Sequence, residues 1–123
     1  MKIINEFCLV KDKKIECVLI KSENKGTHLT AMGSDTIQKQ ELHSNILYKA
    51  DLVISDSRSQ SADRGEIHHA LKDNLDMNSV VELGEVISNK RNGRTSDKQI
   101  TIADLTGVAV QDIQIAKAVL SHL

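Results

Sequence analysis

The sequence predicts an α/β domain built on a largely parallel sheet. Three observations carry that expectation. Strand-length apolar segments alternate with segments of helical period along most of the chain. Leu52 to Ser55 is a short continuous apolar run, as in a strand buried on both faces. Ala109, Ile113, Ala116, Leu120 and Leu123 line one stripe of a final helix, the clearest period in the sequence. With 123 residues the chain is one domain's worth. A chain of that length can bury about two-thirds of its unfolded surface, enough for one core without staples.

The elements are expected in the following order. Phe7 to Val10 and Ile15 to Ile20 flank the charged break Lys11 to Lys14 and read as a β-hairpin. A polar link follows, so residues 1–25 form an N-terminal hairpin and link, and residues 26–123 the main domain. Thr27 to Met32 is the next strand, ending at Gly33-Ser34-Asp35. Leu42, Ile46, Leu47 and Ala50 fall at helical spacing and predict a helix over Lys39 to Lys49. Leu52 to Ser55 is a strand. Ile67, Ala70 and Leu71 mark one face of a helix after Gly65. Val80, Leu83, Gly84 and Ile87 mark another, running towards a basic turn at Asn89 to Arg94. Ile100 to Ala103 is a strand, and the striped helix closes the domain.

Composition excludes several classes of function. Sixteen Lys and Arg against seventeen Asp and Glu leave a net charge of −1. A general electrostatic grip on nucleic acid or an anionic membrane wants a basic surplus instead. No apolar run approaches the ~20 residues of a membrane span, and the start lacks a signal peptide's hydrophobic stretch. Cys8 and Cys17 make neither a disulfide framework nor a zinc pattern and read as apolar packing residues, so the expected compartment is the cytosol. Proline is absent, and no two of the six glycines lie within three residues of each other. A dinucleotide fingerprint needs glycines two apart and a P-loop ends in Gly-Lys-Ser/Thr, so neither usual phosphate cradle exists here.

In an open α/β sheet, ligands sit outside the carboxyl ends of the strands. Asp35, Asp56 and Asp104 follow predicted strands and could serve there as general acid or base. Taken alone, each reads first as a helix N-cap or loop residue, and only second as catalytic; Asp35 would cap the helix starting near Lys39. Lys39 could hold an anion or be a solvated lysine. His68-His69 beside Glu66 invites a metal, but neighbours on a helix point about 100° apart, which favours amphipathic filler and no metal. Lys90, Arg91 and Arg94 read as a solvated turn, with a phosphate contact as the alternative.

A set of motifs goes further. Gly-Thr-His-Leu-Thr-Ala-Met-Gly-Ser-Asp at 26–35 with Lys39-Gln40-Glu41-Leu42, Gly65-Glu66, Glu82 to Val86, Gly93 to Ser96, and Ile100 through Asp112 resemble the ornithine cyclodeaminase/mu-crystallin family in order and spacing. The wording His-Leu-Thr-Ala-Met-Gly-Ser-Asp, Gly-Glu-Ile-His-His-Ala and Ala-Asp-Leu-Thr-Gly is most similar to the ectoine-utilisation branch. The resemblance implies NAD(H)-dependent oxidoreductase or deaminating lyase chemistry on amino acids or cyclic imines. It implies that Asp35 handles protons, that Met32, Gly33, Ser34, Lys39 and Leu105 line the cofactor, and that Thr106 meets substrate. Gly33 would let the backbone approach the nicotinamide-side ribose. The fold implied is the distal half of a Rossmann-type, doubly wound sheet.

The departures limit the function expected. Leu105 stands where many members have Ser, Ile37-Gln38 where Pro-Gly is usual, and residues 1–25 resemble the family only around Val18 to Lys25. Family members are much longer, and their glycine-rich half and substrate-binding region have no counterpart here. A fragment or truncated member, inactive alone and weak in NAD binding, is therefore expected, completed by a separate chain carrying the missing half. The free sheet edge predicts a homodimer. The alternatives are a non-enzymatic α/β protein that self-associates without cofactor, and a small dinucleotide-binding regulator.

Overall fold

A computed structural model describes residues 25–122, and the expected hairpin over residues 1–20, with both cysteines, lies outside them. Four strands form one all-parallel sheet: β1 (His28–Ala31), β2 (Leu52–Ser55), β3 (Val81–Glu82) and β4 (Thr101–Asp104), in the order β1-β4-β2-β3. Among the described residues five helices accompany them: α1 (Ser44–Lys49), α2 (Arg58–Ser61), α3 (Gly65–Lys72), α4 (Leu83–Ile87) and α5 (Ala109–Leu120). The α/β expectation holds, with the parallel sheet of half a doubly wound domain.

Register explains which residues reach the core. Leu29, Ile102 and Val53 lie side by side across three strands, and Ala31 pairs with Asp104 one pleat further on. Alternation puts these on one face, against Leu42, Ile46, Leu47, Ile67, Ala70 and Val80. Leu47, Ile67 and Ile102 are fully buried, and each stabilises the fold by about 1.5–3 kcal/mol. The Tyr48 hydroxyl donates to the Ala70 carbonyl at 2.8 Å and ties α1 to α3. The opposite row is less covered: His28 and Thr30 are exposed, Ile54 and Ala103 half-buried.

Several expected elements are corrected. The helix over Lys39 to Lys49 is only α1, because the backbone N–H groups of Glu41 and Leu42 are taken by the Glu66 carboxylate and His43 is the extended N-cap. Asp35 therefore caps no helix, and Lys39 lies in a loop rather than at a helix start. The helix expected from Val80 divides into β3 and α4, and a 3-10 turn (Met77–Ser79) precedes it. Glu82 and Glu85 form a capping box that starts α4 at Leu83, leaving Val81 to pair with Ile54. Helix α2 lacked an apolar signal altogether. Asp104 is the last residue of β4 rather than the residue after it.

Two surface assignments also change. Arg94 is a staple rather than a solvated charge: its guanidinium donates to the carbonyls of Ser96, Gly26 and Asp97 at 3.0, 3.0 and 2.8 Å. The stripe of α5 is real as a period but is not buried: Ile113 and Leu120 are 52% and 71% exposed.

Candidate functional site

Ala31, Asp104, Ser55 and Glu82 stand in register as one row across the carboxyl edge of all four strands. Within this row Asp104 meets α3, and Glu82 accepts from the Arg58 N–H of α2 at 2.8 Å. Asp104 is fully buried, and its Oδ2 accepts from the Ile67 N–H at 2.9 Å, so a strand-end carboxylate occupies the N-terminal turn of α3. That approach needs Gly65, whose φ of +90° suits glycine and where a Cβ would lie 2.5 Å from Thr106 Cγ2 and 2.7 Å from Asp104 Oδ2.

Asp56, just past β2, clamps the segment leaving β4. Its Oδ1 accepts from Ser57 N–H (2.9 Å) and the Thr106 hydroxyl (3.1 Å), and its Oδ2 accepts from Gly107 N–H (2.8 Å). Gln60 Nε2 donates to Thr106 Oγ1 at 2.7 Å and to the Gly107 carbonyl at 2.6 Å. Thr106 is therefore buried with its hydroxyl engaged inside the protein. Leu105 stays half-buried, its N–H donating to the Ala31 carbonyl at 2.8 Å.

The loop from Gly33 to Leu42 is folded around two carboxylates. Glu41 Oε2 accepts from Gly33 N–H at 2.9 Å, and its carboxylate fills the space that a Cβ on Gly33 would take. The side of Gly33 that was expected to admit a ribose is thus occupied by Glu41. Glu66, from the first turn of α3, accepts from the N–H groups of Glu41 and Leu42 at 2.7 and 2.8 Å and from the Ser34 hydroxyl. Ser34 is accordingly turned inward and buried. His69 Nε2 donates to the Lys39 carbonyl at 2.9 Å, while His68 Nδ1 meets the Ala62 carbonyl at 2.7 Å. The two rings serve different carbonyls.

The surface of this loop carries Met32, 72% exposed, the exposed run Thr36 to Gln38, and the pair Asp35–Lys39, whose Oδ1 and Nζ are 2.5 Å apart. The Lys39 hydrogen bond and charge hold the Asp35 carboxyl below the usual range, with a further contribution from Arg64 at the start of α3. Of the three strand-end acids, Asp56 and Asp104 are committed to internal N–H and O–H donors. Asp35 alone presents its carboxylate to solvent.

Burial pushes Asp104 up from 3.8 to about 6; the N–H groups of Ile67 and Glu66 oppose the shift, while the charges of Glu66 and Asp56 add to it. Glu66 is raised as well, burial outweighing the Ser34, Glu41 and Leu42 donors. An acid with a raised folded pKa binds its proton more tightly in the folded state. The stability that Asp104 contributes in its protonated form is therefore lost as pH rises from about 4 through about 6, by about 3 kcal/mol. The urea midpoint should increase on going from about pH 7 to about pH 5, and Asp104→Asn should flatten that slope. A wild-type midpoint independent of pH in this window would contradict the assignment.

Glu66 and Arg64 had no site role in the sequence, Glu66 having been read as a neighbour of the His pair and as part of the Gly65-Glu66 motif. An acid in the first turn of an amphipathic helix, directly after a glycine, was the available signal.

The model of the ornithine cyclodeaminase/mu-crystallin family matches residues 11–123, beginning inside the segment read as a separate hairpin. An uncharacterised cyclodeaminase of Sinorhizobium fredii is 47% identical over 93 residues, which cover 74% of this chain and 28% of that protein. An archaeal alanine dehydrogenase dimer with bound NAD superposes with a TM-score of 0.70 at 43% identity, over 76% of this chain and 29% of that one. The iminosuccinate reductase of Paracoccus denitrificans in complex with NAD+ gives a TM-score of 0.70 at 38% identity, over 77% and 29%. The chain thus spans less than a third of the length of these relatives.

Proposed function

The chain belongs to the ornithine cyclodeaminase/mu-crystallin family, and from that membership we propose that it supplies the distal half of an NAD(H)-binding domain in which Asp35 handles protons. The observation that carries this is the solvent-facing Asp35 carboxylate at the carboxyl edge, beside two strand-end acids that are internally consumed. The substrate class is an amino acid or cyclic imine, with the ectoine-utilisation branch favoured by the motif wording.

The residues present fit the nicotinamide end of a dinucleotide. Met32, Asp35, Lys39 and Leu105 would hold it by apolar contact and charge, while Gly33, covered by Glu41, and the buried Ser34 would shape the loop from within. When bound, the nicotinamide donates or accepts a hydride. Asp35 would exchange a proton with the substrate nitrogen or with water, and Lys39 would keep it ionised between turnovers. Thr106 would reach substrate only by releasing Asp56 or Gln60, so its part is to hold the backbone of residues 105–107 in place. No phosphate cradle is present in the sequence, so NAD should bind weakly, in the millimolar range, and the chain alone should turn over no amino acid.

Titration of the isotopically labelled chain with NADH tests this. Amide shifts should centre on Met32, Asp35, Lys39 and Leu105; shifts centred elsewhere, or none at millimolar cofactor, would remove the reading. Self-association belongs to the same proposal, because the apolar residues of α5 offer it a surface: Val110, Ile115 and Val119 are 55%, 63% and 56% exposed. Light scattering on the same sample reads it, and a monomer mass would count against it.

A further inference from the structure

We infer that Glu66 is the positioning residue for Asp35, holding the loop that carries Asp35 and Lys39 in one conformation against α3. The inference rests on the reading of Asp35 as the proton-handling group, but the geometry behind it is independent of any cofactor.

Glu66 uses both carboxylate oxygens on the same loop. Oε1 accepts from the Ser34 hydroxyl on the strand side and from Glu41 N–H on the return, and Oε2 accepts from Leu42 N–H. Those donors bracket Asp35 and Lys39 in sequence. Charge-assisted bonds to a carboxylate are about twice as strong as neutral ones, and Glu66 is fully buried, so water does not compete for them. His69, one helical turn along α3, takes the Lys39 carbonyl. Two side chains of a single helix therefore hold the loop, by its backbone at residues 39, 41 and 42 and by the Ser34 hydroxyl. Asp35 itself makes no contact with that helix by hydrogen bond; its 2.5 Å contact is with Lys39, and both side chains are more than half exposed. An exposed pair four residues apart outside a helix contributes little to keep itself formed, and the local turn closed by Lys39 N–H on the Thr36 carbonyl (3.2 Å) has no packed helix of its own to hold it in place. Its persistence depends on the backbone between its members, and that backbone is what Glu66 holds.

The charged groups facing Asp35 are Lys39 on its own loop and Arg64 at the start of α3. Both keep its carboxyl below the ordinary range only while the loop stays docked. Release of the loop should let the Asp35 midpoint climb towards that range.

The experiment follows carboxyl and amide signals in the full chain by nuclear magnetic resonance. In Glu66→Gln the Asp35 midpoint should rise, and amide exchange at Glu41 and Leu42 should accelerate about ten- to hundredfold, as expected for a lost charge-assisted bond. Exchange at Ile102 in the sheet should change less. His69→Ala frees only the Lys39 end of the loop and should move the Asp35 midpoint in the same direction by a smaller amount. It keeps the test open if Glu66→Gln fails to fold. A purely structural Glu66 would shift the melting transition and leave the Asp35 titration of both variants unchanged, and that result overturns the inference. Shifts in Asp35 without any NADH response in the parent chain would instead overturn the functional reading and leave the positioning role standing.

Discussion

Asp35→Asn is expected to leave the melting transition of the chain unchanged and to cut turnover by about 10²–10⁴-fold once the missing half, substrate-binding region included, is supplied. The first half follows from what Asp35 touches. It caps no helix, since the N-cap of α1 is His43, whose side chain accepts from Asn45 N–H. Its contact with Lys39 is between two largely exposed side chains, a class of pair that contributes little to stability. Asparagine has nearly the same shape and can still accept from the ammonium. The second half follows from chemistry: an amide cannot take or return a proton near neutral pH. Denaturation curves of the two chains should overlay. Steady-state turnover after complementation should separate them, through kcat rather than KM. A complemented Asp35→Asn enzyme at full rate, or a variant that unfolds, would show the assignment to be wrong.

The fold was legible where apolar spacing and burial coincide. Leu52 to Ser55 is found as predicted, and Ile67, Ala70 and Leu71 do mark the inner face of α3. Spacing failed where a distant polar group decides the backbone. Leu42 keeps helical spacing with Ile46 and is buried, yet its N–H belongs to Glu66, which comes 24 residues later. No local window contains that information. Strand β3, at two residues, is too short to show a period, and its end is fixed by the Glu82–Glu85 capping box.

The place of the site was legible in part. Met32 and Leu105 directly follow the paired strands β1 and β4, and Asp35 and Lys39 come later in the loop that leaves β1. Asp56 and Asp104 were correctly seen as strand-end acids, but whether such an acid faces solvent or a helix N-terminus depends on tertiary approach. Ser34 and Thr106 illustrate the same limit, because each hydroxyl is consumed by a carboxylate from another element.

Gly65→Ala is expected to destabilise the chain by about 2–5 kcal/mol, combining the strain of a left-handed backbone with overlap in a packed interior. The added methyl meets two groups that have nowhere to go. Thr106 is pinned by Asp56 and Gln60, and Asp104 is pinned by Ile67 N–H, so relief of either contact breaks a second set of hydrogen bonds. Two other glycines separate the contributions. Gly107 also has a positive φ, +84°, but open space around its Cα, so Gly107→Ala isolates the backbone strain at about 1–2 kcal/mol. Gly84 lies in α4 with no neighbour in the way of a methyl, and Gly84→Ala should raise stability by about 0.5–1 kcal/mol through helix propensity. Urea midpoints should therefore rank Gly84→Ala above the parent, the parent above Gly107→Ala, and Gly65→Ala last. A Gly65→Ala midpoint equal to that of Gly107→Ala would mean that the carboxyl edge yields to a methyl. The close packing of Asp104 on α3 would then not be what fixes the position of the segment carrying Leu105 and Thr106.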